Sequence, residues 1–415
     1  MKKQVFLVLA LSSLLLTSCG GKPSGPQVED LGTKDFHTEL QQAYIDDVDF
    51  DKTDDVIDGE GWKNIKNYVP YVTADFEGSN AASSEHRSEL LGNVSAPNAI
   101  RIEFDEVEDS DSYYVQVAKN IDFEDAKQYE TTEKYYDFYN SELGQEYYVR
   151  ASAYEGGLDN AKVRKFKVSS DAPRNVYVDG VINFRDIGGW ESSLVEGARI
   201  KQGLYYRCAQ FNQDNSSSSN PRLNITEKGL ETIKELNIRV DIDMRDRPLN
   251  MGTTENPLSV ISTEDHEVKL LDAHIASGTE STRFSGFADV YSAIFEKIEN
   301  ADQAPIALHC THGADRTGIA SFFLLAVLGA SENDCGRDYS FTRFAGARKV
   351  WHEDEFDGWV DGVKAYEDRL PAGVPENQKF AEEMKLHLMS KGITEDRIET
   401  IREKFIPGYT RPAAA

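Results

Sequence analysis

Pro305-Ile306-Ala307-Leu308-His309-Cys310-Thr311-His312-Gly313-Ala314-Asp315-Arg316-Thr317-Gly318 is the stretch that decides the fold of this chain. It opens as a short apolar strand, Pro305 to His309, and leads into an apolar helix expected over Thr317 to Leu328. A loop running from a strand to a helix N-terminus points successive backbone N–H groups inward. Those donors, with the helix dipole, stabilise a negative charge at the loop centre. A cysteine there, Cys310, is expected to be a thiolate near neutral pH. Arg316 closes the ring with a planar fork that matches two phosphate oxygens. Gly313 permits the tight curl.

Elements alternate upstream of the loop. Thr226 to Leu236 has a capping threonine and a helical apolar period through Leu230, Ile233 and Leu236. Arg239 to Met244 reads as a buried strand, and Phe287 to Ile298 as an amphipathic helix. This alternation argues for an α/β domain with a mainly parallel sheet, expected over residues 171–410.

The Cys310-x5-Arg316 spacing, with His309 ahead and Thr317 behind, resembles the signature loop of cysteine-dependent protein tyrosine phosphatases. Asn183-Phe184-Arg185-Asp186-Ile187-Gly188-Gly189 resembles the opening motif of the bacterial atypical, secreted members. Tyr205-Tyr206-Arg207, Asp243-Met244-Arg245 and Asp338-Tyr339 fit further segments of that family. The resemblance implies the cysteine-phosphatase fold and hydrolysis of phosphomonoesters through a phosphocysteine. Cys310 would attack phosphorus. Thr311, His312, Gly313, Ala314, Asp315 and Arg316 would hold the phosphate, and Thr317 would donate to the sulfur as it leaves. His309 would orient the loop. No metal or organic cofactor is implied. For the general acid the order of choice is Asp315, then Asp246, then Asp186. Arg185 and Asp186 are support residues; the alternative for them is a structural ion pair fixing the opening turn, favoured for Asp186, while Arg185 supports the loop.

Relatives often carry Lys where Ala314 stands. Its absence, with the acidic surface, favours phosphotyrosine-like monoesters over phosphoinositides and polyphosphates. His312 is read as a rim residue contributing its N–H. Cys208, commonly Ser in relatives, reads as a small buried side chain, with a redox partner of Cys310 as the sharper alternative. Tyr206, Trp190 and Phe344 read as core. Two further readings compete: a phosphatase of phosphoinositides or other small phosphoesters, and a silent phosphate-binding pseudophosphatase.

The N-terminal half is organised differently. Lys2 and Lys3 precede an apolar run that ends Leu16-Thr17-Ser18-Cys19, which resembles a bacterial lipobox. Residues 1–19 are therefore expected to be a lipoprotein signal ending at an acylated Cys19. The body would then be extracytoplasmic, held to a bacterial membrane or cell surface by the lipid anchor alone. Residues 20–92 form an acidic linker. Asp47, Asp49 and Asp51 alternate there, but Lys52 and Asp58 break the calcium-loop pattern. Residues 93–170 read as a β-sandwich resembling fibronectin type III or Ig-like modules. Its strands are expected at Ala99–Phe104, Tyr113–Ala118, Tyr147–Tyr154 and Lys165–Val168. A spacer is favoured over a ligand-binding surface module.

Composition narrows the classes further. With 415 residues and ~150 per domain, two or three domains are expected. Asp and Glu number 72 against 45 Lys and Arg, so the net charge of −27 argues against nucleic-acid partners and basic adhesion to lipid. Four cysteines, with no CxxC, exclude a disulfide scaffold and a zinc module.

Overall fold

The computed structural model describes residues 28–47, 95–104, 110–212, 224–245, 252–253, 255–276, 284, 286–300, 304–345 and 353–412. Cys19 and its leader, the acidic run beyond Asp47, and Asp246 lie outside the described residues. By packing, residues 28–32, 110–132 and 147–166 form one compact unit. The described residues within 33–104, 133–146 and 167–412 form the other. The units interleave along the chain, whereas the sequence reading places its segments end to end.

The smaller unit carries most of a five-stranded sheet of order β1-β7-β6-β3-β4. These strands are β1 (Glu29–Lys34), β3 (Tyr113–Ala118), β4 (Lys127–Thr131), β6 (Glu146–Ser152) and β7 (Arg164–Val168). In β3, Tyr113, Val115 and Val117 are buried while Tyr114 and Gln116 are half-buried, the period of two that the sequence carries. A separate antiparallel pair, β2 (Ile100–Glu103) with β5 (Tyr135–Phe138), belongs to the larger unit.

The larger unit is built on a six-stranded mixed sheet of order β12-β11-β13-β10-β9-β8. Four strands run parallel: β10 (Tyr205–Cys208), β11 (Val240–Asp243), β12 (Lys269–Asp272) and β13 (Ile306–His309). The short strands β8 (Arg174–Asn175) and β9 (Arg185–Asp186) close one edge antiparallel. Every residue of β10, β11 and β13 is buried, as expected of parallel strands covered on both faces. The register places Cys208 and Asp243 beside His309, and Asp272 beside Asp243. The carboxyl ends of the four parallel strands are therefore level, and that edge is where open α/β sheets place their ligands.

The described α-helices of this unit include α1 (Glu39–Asp47), α2 (Glu227–Glu235), α3 (Ala288–Glu299), α4 (Asp315–Val327), α5 (Glu332–Phe341), α6 (Glu353–Lys364), α7 (Lys379–Ser390) and α8 (Glu395–Phe405). Thr226 caps α2 by accepting the Gly229 N–H at 3.1 Å, as its sequence predicts. Helix α4 is buried from Thr317 through Val327, because its residues are apolar all round. It starts two residues earlier than expected. That places Asp315 and Arg316 in its first turn rather than in the loop.

Candidate active site

Cys310 is the first residue past the central strand and is 2% exposed. The chain then curls through Thr311 to Ala314 into α4. Gly313 makes the curl possible twice over. Its φ is 67°, and a Cβ there would lie 2.3 Å from the carbonyl oxygen of Cys208 at the end of β10. Ala314, at the N-cap, has no capping side chain. The orphan N–H groups of the first turn are thus left for the loop and its ligand. Burial pushes the Cys310 thiol up, but the Arg316 guanidinium and the Thr317 hydroxyl and N–H outweigh it. Asp315 opposes them, and the net effect holds Cys310 below the ordinary thiol value. The buried Thr317 hydroxyl has no oxygen or nitrogen partner among the described residues. Arg316 is braced across the sheet edge. Its Nη1 donates to the carbonyls of Met244 at 2.8 Å and Ile275 at 3.1 Å, just past β11 and β12.

A buried polar network holds the loop from behind. Asn183, at φ 59°, donates Nδ2 to the carbonyls of His312 at 3.2 Å and Gly313 at 3.0 Å. Arg207 donates Nη2 to the Gly313 carbonyl at 2.7 Å and pairs through Nη1 with Asp338 of α5. Arg185 donates Nε to the same carboxylate at 2.8 Å, Nη2 to the Asp338 carbonyl at 2.6 Å, and Nη1 to the Asn183 side chain. Burial alone would raise the Asp338 carboxyl, but the Arg185 and Arg207 guanidiniums hold it below the usual range. Burial and the nearby Arg207 charge lower Arg185 to about 10, still charged at neutral pH.

A model of the tyrosine phosphatase family matches residues 176–406, more than half of the chain. The chain belongs to the tyrosine phosphatase family. No curated protein matches it by sequence. Among solved structures it is similar to TpbA of P. aeruginosa at 12% identity and a TM-score of 0.27, over 47% of this chain and 96% of that one. It is also similar to the core catalytic domain of the PP-IP phosphatase SIW14 from S. cerevisiae. There the identity is 13% and the TM-score 0.26, over 41% of this chain and 94% of that one. The assignment rests on the family match, and cysteine-based phosphatase chemistry is what it carries.

The phosphatase brings together His309, Cys310, Arg316 and Thr317, with Asp315 close enough for its charge to act on Cys310. Ala314 is buried, while Thr311 and His312 are half-buried at the rim. Asp186 sits elsewhere. It is fully buried, pairs with Arg174 at 2.7 Å, and accepts the N–H groups of Gly188 at 2.7 Å and Gly203 at 2.5 Å. It therefore serves the turn, as favoured, but its counter-ion is Arg174 and not Arg185. With its oxygens taken and no exposure, it cannot act as a general acid. Burial pushes the Cys208 thiol well up, so it stays neutral, and its carbonyl packs on Gly313. Tyr206, Trp190 and Phe344 are core residues. Sequence reasoning gave no role to Arg174, Asp241 or Ser259. The signal for Asp241 was present: Val240-Asp241-Ile242-Asp243 puts two carboxylates in a strand with no exposed face.

Proposed function

We propose that the chain hydrolyses phosphomonoesters through a phosphocysteine at Cys310, with tyrosine phosphate as the favoured substrate class. One observation carries this reading: a buried cysteine, held toward its thiolate by Arg316 and Thr317, at the uncapped N-terminus of α4. The sulfur lone pair forms the S–P bond as the ester P–O bond breaks. Charge on the equatorial oxygens is met by the loop N–H groups and Arg316. Asp315 supplies the proton to the leaving oxygen; Asp246 is the second candidate. Water then breaks the S–P bond, and the Thr317 hydroxyl stabilises the departing thiolate. Ala314 in the loop and the −27 net charge weigh against polyphosphorylated substrates.

The lipobox residues Leu16 to Cys19 support an anchor at Cys19 and an extracytoplasmic, bacterial setting. The alternating strands of the smaller unit, β3, β4, β6 and β7, support a fibronectin type III-like module acting as a spacer. The test uses residues 20–415 against a phosphotyrosine peptide, a phosphoserine peptide and soluble phosphoinositides. Phosphotyrosine turnover is expected to lead. In Cys310→Ser it should fall by about four orders of magnitude or more. Tight binding of a phosphate analogue with no turnover of any substrate would leave a pseudophosphatase instead.

A further inference from the structure

Two carboxylates lie behind the nucleophile, and the proposed reaction uses neither. Asp241 and Asp243 alternate on β11 and so share a face. His309 is the register neighbour of Asp243, and all three residues are at most 2% exposed. The His309 Nδ1 lies 3.1 Å from the Cys310 carbonyl oxygen. A carbonyl only accepts, so Nδ1 carries a proton. Nε2 lies 3.1 Å from Asp241 Oδ1 and 3.8 Å from Asp243 Oδ2. The shorter approach lacks the angle of a hydrogen bond, so what attracts the groups is charge. A neutral ring would set an unprotonated Nε2 beside two carboxylates with no charge to attract them.

The two carboxylates differ in what else they hold. Asp243 is matched by Arg245, whose Nε reaches both oxygens at 3.0 Å and whose Nη2 reaches one at 2.6 Å. Asp241 accepts the Ser259 hydroxyl at 2.5 Å on Oδ2. Among the described residues no Lys or Arg pairs with it, and His309 is its counter-charge.

We infer that Asp241 is a positioning residue that keeps His309 as a buried imidazolium, whose Nδ1–H pins the Cys310 carbonyl and whose charge supports the thiolate. The other groups around the ring are Asp243 and Arg245 at the end of β11, Cys208 on β10, Cys310 itself, and Phe211, which stands edge-on at 5.0 Å. Burial pulls the His309 pKa down, but Asp243 and Asp241 outweigh it and leave it raised. The inference rests on Cys310 as nucleophile, yet its test needs no turnover.

Nitrogen NMR of the full chain, with the His309 signals assigned by their loss in His309→Gln, reads the ring directly. Both nitrogens are expected to be protonated at about pH 7, above the ordinary histidine value. A neutral ring at about pH 7 overturns the inference. In Asp241→Asn the ring should become neutral, and the midpoint for alkylation of Cys310 should rise by up to about one unit, about tenfold in thiolate. The sign is decisive. Removing a carboxylate while the ring stays charged would lower the midpoint, so a lowered or unchanged midpoint also overturns it. If Asp241→Asn does not fold, the wild-type nitrogen signals decide. If phosphatase turnover is absent while these signals behave as expected, the substrate reading fails and this one stands.

Discussion

Asp315 acts on Cys310 in two opposed ways. Its charge raises the thiol it sits beside, and its proton is the one proposed for the leaving oxygen. Asp315→Asn separates the two. The thiolate is the form present above the Cys310 pKa. Removing the opposing charge therefore lowers the alkylation midpoint and extends reactivity to lower pH. Turnover should move the other way, falling about 10²-fold for tyrosine phosphate and much less for an aryl phosphate with an acidic leaving group. Equal losses on both substrates would remove Asp315 from the donor role. Cys310 and Arg316 were legible in the sequence because their chemistry follows from residue type and spacing along one loop. Asp241 was not, because its purpose depends on the neighbour that sheet pairing gives it. The partner of Asp186 was hidden for the same reason: Arg174 reaches it across β8 and β9, while the adjacent Arg185 turns to α5.

Helix α5 fixes the loop although none of its residues belongs to it. Asp338 is the shared counter-ion of Arg185 and Arg207, and Arg207 in turn holds the Gly313 carbonyl. Removing one partner of a buried ion network leaves charges uncompensated, so Asp338→Asn should cost about 3–5 kcal/mol in denaturant unfolding. It should also slow Cys310 alkylation, because the loop loses its backing. The pH dependence carries the signature. The Asp338 pKa is depressed in the fold, so its stabilisation is present above the unfolded value of 3.8 and is lost as pH falls through the lower folded value. The wild-type protein should thus lose stability over that acid window, and Asp338→Asn should lose less there. A variant as stable as wild type at neutral pH would sink this account. At this scale most of the fold was readable. The alternation of β3, the helical period of α2 and the apolar runs of β11, β13 and α4 placed these elements close to their observed limits. The two-residue strands β8 and β9 carry no such period and are defined only by their pairing.

The family match begins at residue 176, but the compact unit that holds the site begins at residue 33. Tyr44 of α1 is 1% exposed and packs edge-on against Phe341 and Phe344, with ring centroids 5.6 Å and 5.4 Å away. Its hydroxyl donates to the Arg337 carbonyl at 3.1 Å and bonds Ser340, while Arg337 Nη2 donates to the Ile45 carbonyl at 2.6 Å. Gln41 accepts the Asn175 amide at 3.1 Å, and the Ser95 hydroxyl accepts the Asn183 N–H at 2.9 Å. Further along, Gln202 bonds both backbone groups of Leu143, and Arg174 donates to the carbonyls of Asn140 and Ser141. The contacts of Tyr44 and Ile45 with Arg337, Ser340 and Phe341 fall on α5, and that of Ser95 falls on Asn183; both back the catalytic loop. A chain starting at residue 171 retains the whole family match yet exposes this surface and orphans its polar groups. It is expected to lose cooperative unfolding or to aggregate, whereas a chain starting at residue 28 should unfold as the full protein does. Tyr44→Ala, a smaller lesion on the same surface, should cost about 3–5 kcal/mol, as for other buried aromatics. Thermal unfolding of the full protein, the two shortened chains and Tyr44→Ala side by side checks this. A 171–415 chain with the midpoint of the full protein would show that residues 33–104 and 133–146 contribute nothing to the catalytic unit, and that the linker reading of residues 20–92 was sufficient.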